Sequence, residues 1–361
     1  MYPVKKFEND LVQIFKENRG CFYPGCTCKK SDIIRSHTLQ KSGSISLIAE
    51  DNHVYQYKTT VEALDDFVTN NYFFPPKRIG INVASTFQGF CASHDKQLFQ
   101  AIEDEPIIPS IRQVNLFSFR SLCSELYRKI AASESSIVLN EVLKQLPMQN
   151  QSEIIDKGIV KHRNSVIDEG TKMGQAVMSS IYARFSVYLN EDSTSNLDYL
   201  LFKLDQIPQV QCSAYINPER DFNNNILQVL AKEKEAMQGI FVNIFANNGV
   251  GYVLFSWEKS HEKMHRFIEN LLIQDDVINN IVALVFSYIE NHVFSISWWE
   301  NLSILKKRDV CNRVVDIFHA NDFQRPKKYV NWGYTIMTNS IKIERLLFDK
   351  GILCELTIRY P

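Results

Sequence analysis

Two short stretches carry the residue types that bind metal ions. "CFYPGCTCKKSDIIRSH" holds Cys21, Cys26, Cys28 and His37, and "GFCASHD" holds Cys91, His94 and Asp95. A tetrahedral zinc site needs four soft or borderline donors on one point, and tight turns supply them in pairs because one loop can aim two side chains inward. Cys91-x-x-His94 is one such pair. Cys21 with Cys26 or Cys28 is the other, across a turn that contains Pro24 and Gly25. The residues therefore read as a structural Zn²⁺ held by Cys21, by Cys26 or Cys28, and by Cys91 and His94. His37 is an alternative donor in place of Cys26 or Cys28. In a reducing compartment, clustered cysteines beside histidine point to metal rather than to disulfides. Cys123, Cys212, Cys311 and Cys354 stand singly and read as small buried hydrophobes.

A second chemistry is available nearby. A histidine close to its ordinary pKa can take a proton from water at neutral pH, and a carboxylate can hold Mg²⁺ or Mn²⁺ to stabilise a leaving oxygen. His37 is the candidate base and Asp95 the candidate ligand for that second ion, with Asp32 or Glu50 as further carboxylates. Lys29, Lys30, Arg35 and Lys41 flank His37 and could contact phosphate. The plainer reading puts Asp95 in the first turn of its helix, where a negative side chain is favourable, and the basic residues on a solvated face.

The elements that must position these residues follow from periodicity. Spacing and turn residues predict an entry helix over 4–18, a turn at Asp51-Asn52, a non-helical connector in "FFPPKRIG", where Pro75 and Pro76 break both helix and ladder, and a helix in "DKQLFQAIED" after Cys91. Residues 113–190 read as long helices, the second breaking near Gly170 or Gly174. Beyond them "DYLLFKLDQIPQVQCSAYINP" alternates like strands, and "QGIFVNIFANNGVGYVLFSW" reads as a hairpin about "NNG". The glycines of that turn do not open a helix, so it is no phosphate cradle. Helical spacing then returns. Trp257, Trp298 and Trp299, with Phe286, Tyr288 and Phe294, read as core packing; a binding face with Glu290 and Asn291 is the alternative.

The succession of a loop knuckle, "SH" on a strand, and a strand leading to Cys-x-x-His and a helix resembles the treble-clef nucleases of the HNH (ββα-metal) superfamily. The resemblance covers about residues 18–105. "RSHTLQ" stands at the histidine-pair position, so His37 matches the general base while Ser36 replaces the usual Asp or His. "ASTFQGFC" stands at the asparagine-bearing strand, with Ser85 and Thr86 near the asparagine. Asp95 stands where the final metal-binding histidine would be. The wider pattern also resembles a bacterial protein family. The resemblance implies a structural zinc, a separate Mg²⁺ or Mn²⁺ and hydrolysis of nucleic acid, DNA more than RNA, in a role such as defence against phage.

The chain has 361 residues and a net charge of −1, so any nucleic-acid contact must come from a local patch rather than from overall charge. No leader peptide and no membrane span are read, and a cytoplasmic location is expected. The expected fold class is α+β: a small zinc-bound treble-clef-like domain at 1–110, a helical arm at 111–190, and an α+β domain at 191–361 with antiparallel strands and helices. That last domain is expected to recognise or regulate, and to offer the surface for a protein partner or a second copy. Two functions are expected from this reading. The first is a metal-dependent endonuclease. The second is a non-catalytic zinc-held module that binds nucleic acid or protein, with a C-terminal sensor.

Overall fold

The computed structural model describes residues 13–57, 75–108, 110–145, 168–189, 196–204, 206–229, 237–318, 340–347 and 352–359. Within them the chain is mixed α+β, and every strand pairing is antiparallel. Its centre is the hairpin foreseen about "NNG". β7 (Ile240–Asn247) and β8 (Val250–Glu258) pair with Asn247 opposite Val250. Asn248 and Gly249 have φ of 49° and 77°, the left-handed pair that a two-residue hairpin turn requires.

β5 (Leu197–Leu204) lies beside β8, and β6 (Val210–Ile216) beside β7. β9 (His292–Phe294) follows β6. On the far side β10 (Ser340–Leu347) and β11 (Ile352–Arg359) extend β5. Two strands from the first part of the chain complete the sheet: β2 (His53–Gln56) joins β9 at Tyr55–Phe294, and β3 (Lys77–Gly80) pairs with β2. The sheet expected to be small and C-terminal thus has nine strands in the order β11-β10-β5-β8-β7-β6-β9-β2-β3. A separate two-stranded ribbon joins β1 (Ile33–His37) to β4 (Thr86–Cys91).

Both faces of the large sheet are covered, so β6 and β7 are buried along their whole length. One face, with Phe202, Val242 and Phe255, packs on α4 (Glu262–Leu272), α5 (Val277–Tyr288) and α7 (Ile304–Phe318). The other, with Leu201, Phe241 and Leu254, packs on α2 (Ile111–Gln145), on α3 (Asp168–Tyr188), and on residues from the first part of the chain such as Val54, Phe90 and Phe99. The described residues of 1–110 and 191–361 therefore share one sheet, and together with those of 111–190 they share one core cluster.

Polar contacts tie the same parts together. Asn291 Nδ2 donates to Thr38 Oγ1 and to the Ser213 carbonyl, both at 2.9 Å. Glu50 accepts from the Ser297 N–H at 2.6 Å, at the start of α6 (Ile296–Glu300), and Tyr55 donates to Glu300 at 2.9 Å. The aromatic set is core: Trp257, Phe286, Phe294, Trp298 and Trp299 are buried together, and Tyr288 packs against them.

Several expectations change. Within the helical segment 111–190, residues 113–124 of α2 are almost wholly buried against the sheet. Serines allow that close approach. Ser118 Oγ lies 2.7 Å from Ser256 Oγ, and Ser121 Oγ lies 2.8 Å from Ser213 Oγ and 3.0 Å from Asn243 Oδ1. α3 runs unbroken through Gly170 and Gly174, because apolar packing by Met178, Ile181 and Phe185 holds it as a helix. "NHVF", expected as the end of a helix, is strand β9. Of the entry helix, residues 13–17 are helical and 4–12 lie outside the described residues. Residues 146–167 also lie outside them. The turn at Asp51-Asn52 is present, with φ of 49° and 59°.

Two stability predictions follow from this packing. Ser121→Leu forces a larger side chain between α2 and the sheet, and should cost about 2–3 kcal/mol in denaturant titration, against about 1 kcal/mol for Ser121→Ala. His292 is enclosed by Tyr57, Phe286 and Phe294, donates from Nδ1 to the Ile289 carbonyl at 2.5 Å, and has no partner at Nε2 among the described residues. Burial pushes its pKa down to about 4 from 6.5. The folded chain thus resists a proton that the unfolded chain accepts. Stability should be intact above about pH 6.5 and fall as pH drops toward 4, by up to about 1.4 kcal/mol per pH unit from this group. Denaturant titrations at several pH values should show that slope, and His292→Phe should flatten it.

Candidate metal centre

The first cysteine loop is laid against β4 by its backbone. The Phe22 N–H donates to the Gly89 carbonyl at 2.8 Å, and the Gly20 N–H to the Gln88 carbonyl at 3.3 Å. Gly89 permits this approach: a Cβ there would lie 2.9 Å from the Phe22 ring and would also press on Phe87. Phe22 packs edge-on to Phe90 and Tyr182, and the Tyr182 hydroxyl donates to its carbonyl at 2.8 Å. The chain then reverses at Gly25, with φ 75° and a Cys26 N–H to Tyr23 carbonyl bond of 3.1 Å. Cys91 comes from the other side. It ends β4 opposite Ile33 of β1 and is the N-cap residue of α1 (Ala92–Glu103), whose first turn carries His94 and Asp95.

These elements converge on one point. The Sγ atoms of Cys21, Cys26, Cys28 and Cys91 all lie within 4.8 Å of one another, and Cys21 and Cys91 are 3.9 Å apart. All four are free thiols. The separation is far beyond an S–S bond of about 2.05 Å. It is close to the ~3.8 Å edge of a tetrahedron with metal–sulfur bonds of about 2.3 Å. Donor type and spacing thus fit a single bound metal ion. Both Cys26 and Cys28 are in the group, so neither stands aside as expected. His94 lies beside the thiols, its Nδ1 3.3 Å from Cys91 Sγ and 3.5 Å from Cys21 Sγ, with its ring stacked on Tyr23 at 3.9 Å and 6°. Among the described residues this is the one group of three or more histidine, cysteine or carboxylate donors close enough to share an ion.

The close packing of the sulfurs also sets how each thiol gives up its proton. Burial pushes the Cys21 thiol up to about 11, and the Cys26 sulfur beside Cys28 pushes that thiol up to about 12. Cys26 is lowered, chiefly by the backbone N–H of Cys28. Packed thiols resist losing several protons to one another. A divalent ion removes that resistance, because the ligand form of cysteine is the thiolate.

The candidate hydrolytic residues stand on the ribbon and on the helix that follows it: His37 ends β1 and Asp95 is in the first turn of α1. His37 Nε2 donates to the Ile81 carbonyl at 2.9 Å, which leaves Nδ1 as the acceptor, and burial lowers its pKa. With four thiols converging elsewhere, His37 is not a donor to that cluster. Burial raises the Asp95 pKa, while the Ser36 hydroxyl, the Arg120 guanidinium and His37 act in the opposite direction. Arg120 is 2% exposed, pairs with Glu103 at 2.5 Å and sits 4.9 Å above the Phe99 ring. Ser36, His37, Asp95, Glu103 and Arg120 thus form one electrostatically linked group. Asp32 accepts from the Lys29 N–H and Glu50 from Ser297, so both further carboxylates are engaged elsewhere. Ser85 is buried with Oγ 2.7 Å from Thr38 Oγ1, and Thr86 donates to the Val83 carbonyl. Lys29, Lys30, Arg35 and Lys41 are all exposed; Lys30 reaches the Glu17 carbonyl at 2.7 Å and Lys41 reaches Asn82 at 3.2 Å.

One metal-type spacing was overlooked: His261-Glu262-x-x-His265 has the His-Glu-x-x-His pattern of helical metal sites. The structure divides the pair. His261 Nε2 lies 3.3 Å from Glu258, which also takes a two-pronged Arg184 at 2.8 Å, whereas His265 Nε2 lies 3.1 Å from Asp198. Each imidazole therefore has its own carboxylate.

No helix among the described residues is long and apolar enough to cross a membrane. Comparison with protein-family models, with curated proteins and with solved structures finds no match to this chain.

The thiol geometry predicts about one divalent metal ion per purified chain. Elemental analysis should find it, and Cys91→Ser should bring the content near zero. Because binding free energy at such a site is folding free energy, the same change should destabilise by several kcal/mol in denaturant titration.

Proposed function

We propose that the first part of the chain is a zinc-held, treble-clef-like head that binds nucleic acid without cutting it, built onto a sheet-and-helix body. The observation that carries this reading is the convergence of four thiols where the 21–28 loop, β4 and α1 meet. Thiolate is the ligand type for zinc, and one compact set of four suits a single ion; a multi-iron cluster spreads its cysteines over several metals. A knuckle, an antiparallel ribbon and a helix that starts at the last cysteine make up the order of a treble clef. The ion's role is then structural, because four protein ligands leave no open position for substrate.

The patch for nucleic acid is Lys29, Lys30, Arg35 and Lys41, exposed on and around β1. Non-catalytic binding is favoured because His37 is turned to the Ile81 carbonyl within the chain, and because burial raises the Asp95 pKa and so disfavours the charged form that a metal ligand needs. A second reading, hydrolysis, is favoured by His37 itself. Burial keeps its imidazole neutral, the form a general base needs, and it interacts electrostatically with Asp95. In that reading Asp95 would hold Mg²⁺ or Mn²⁺, with water and substrate phosphate as the other ligands.

One pair of assays separates the two. Gel shifts with labelled DNA and RNA should show binding that weakens with salt, and Arg35→Glu with Lys41→Glu should reduce it about tenfold or more. Supercoiled plasmid with Mg²⁺ or Mn²⁺ should stay intact. Nicking that disappears in His37→Ala would replace the binding reading with the hydrolytic one. Neither binding nor nicking would sink both.

A further inference from the structure

We infer that His94 is not a ligand of the metal ion but a positioning residue, whose ring N–H bridges the Cys21 and Cys91 thiolates from outside the tetrahedron. The inference rests on reading the thiol cluster as a metal centre. It differs from what the Cys-x-x-His spacing suggests, which would make His94 the fourth ligand.

The argument starts from the number of donors. Four thiols already lie within 4.8 Å of one another, and a tetrahedral ion accepts no fifth ligand. His94 Nδ1 lies 3.3 Å from Cys91 and 3.5 Å from Cys21, distances suited to an N–H donating to large sulfur atoms. Those two are the pair 3.9 Å apart, so the imidazole straddles a single edge of the tetrahedron.

The deeper side of the cluster is the side that water reaches least, and there the imidazole adds a donor to the backbone N–H groups of Tyr23 and Cys91 that face Cys21. Cys91 is buried and Cys21 is set deeper than Cys26 and Cys28, which water can reach. Four thiolates around a divalent cation leave excess negative charge, and donors around the ligands offset it. Cys26 and Cys28 can take those hydrogen bonds from solvent and from backbone. At the Cys21–Cys91 edge the imidazole N–H does the same work. Its plane is fixed by Tyr23, stacked at 3.9 Å and nearly parallel, and by its place in the first turn of α1. Tyr23 belongs to the same loop as Cys21, so the stack also ties the helix to that loop.

The test is X-ray absorption on the zinc-loaded full chain, with visible spectra of the Co²⁺-substituted protein. Wild type should show four sulfurs and no nitrogen around the ion. His94→Ala should keep the four-sulfur shell, lose ten- to a hundredfold in zinc affinity, and shift the sulfur-to-cobalt charge-transfer band to lower energy as the thiolates lose their donor. His94→Asn, which offers an amide N–H near the place of Nδ1, should restore most of both. A shell of three sulfurs and one nitrogen in wild type, altered in His94→Ala, would overturn the assignment. So would unchanged affinity and spectrum in that variant. If wild type and Cys91→Ser alike take up no metal, the metal reading itself fails and this assignment falls with it.

Discussion

A sheet that is apolar on both faces must be covered on both faces, and this constraint organises the whole molecule. β6 and β7 offer no polar side to water, so each face needs a layer of its own. α4, α5 and α7 cover one face. The other is covered by α2 and α3, but also by Val54, Phe90 and Phe99, which belong to the part of the chain that holds the metal candidates. The head is therefore not an appendage. Its hydrophobic residues share the second layer with α2 and α3.

The thiol cluster and the buried polar group bear on one problem, how to hold α1 in place. At its start, Cys91 joins α1 to the 21–28 loop through the thiol cluster. Farther along, Glu103 is held by Arg120 of α2, whose guanidinium covers Phe99 on the way. A buried guanidinium is expensive to leave unpaired, so the Glu103 contact is a strong constraint on the α1–α2 packing. His37 and Asp95 are linked electrostatically to the Glu103–Arg120 pair.

Legibility of the sequence varied with the range of the interaction. The β7–β8 hairpin was visible because Asn248-Gly249 encodes its own turn, and the helix after Cys91 because its apolar spacing is local. The convergence of the two cysteine stretches was visible as chemistry, though not which donors would meet. Spacing made Cys26 and Cys28 rivals, while the reversal at Gly25 turns both inward. The joining of β2 to β9 was hidden, because one pairing at Tyr55–Phe294 leaves no trace in either segment. The burial of α2 was hidden for a related reason. Ser118, Ser121 and Ser124 look like a solvent face until the sheet supplies Ser213, Asn243 and Ser256 opposite.

The position of β3 has a consequence of its own. Among the described residues it is the last strand on its side of the nine-stranded order, and among them one row of its backbone groups has no neighbouring strand. Open rows of this kind invite another chain to add itself. β3 is four residues long, begins with Lys77 and Arg78, and follows Pro75-Pro76, which offer no backbone N–H. A short, charged strand preceded by prolines is a poor template for growth. The covering of two faces creates a broad sheet, and this terminal strand lets such a sheet stop at the boundary of one molecule.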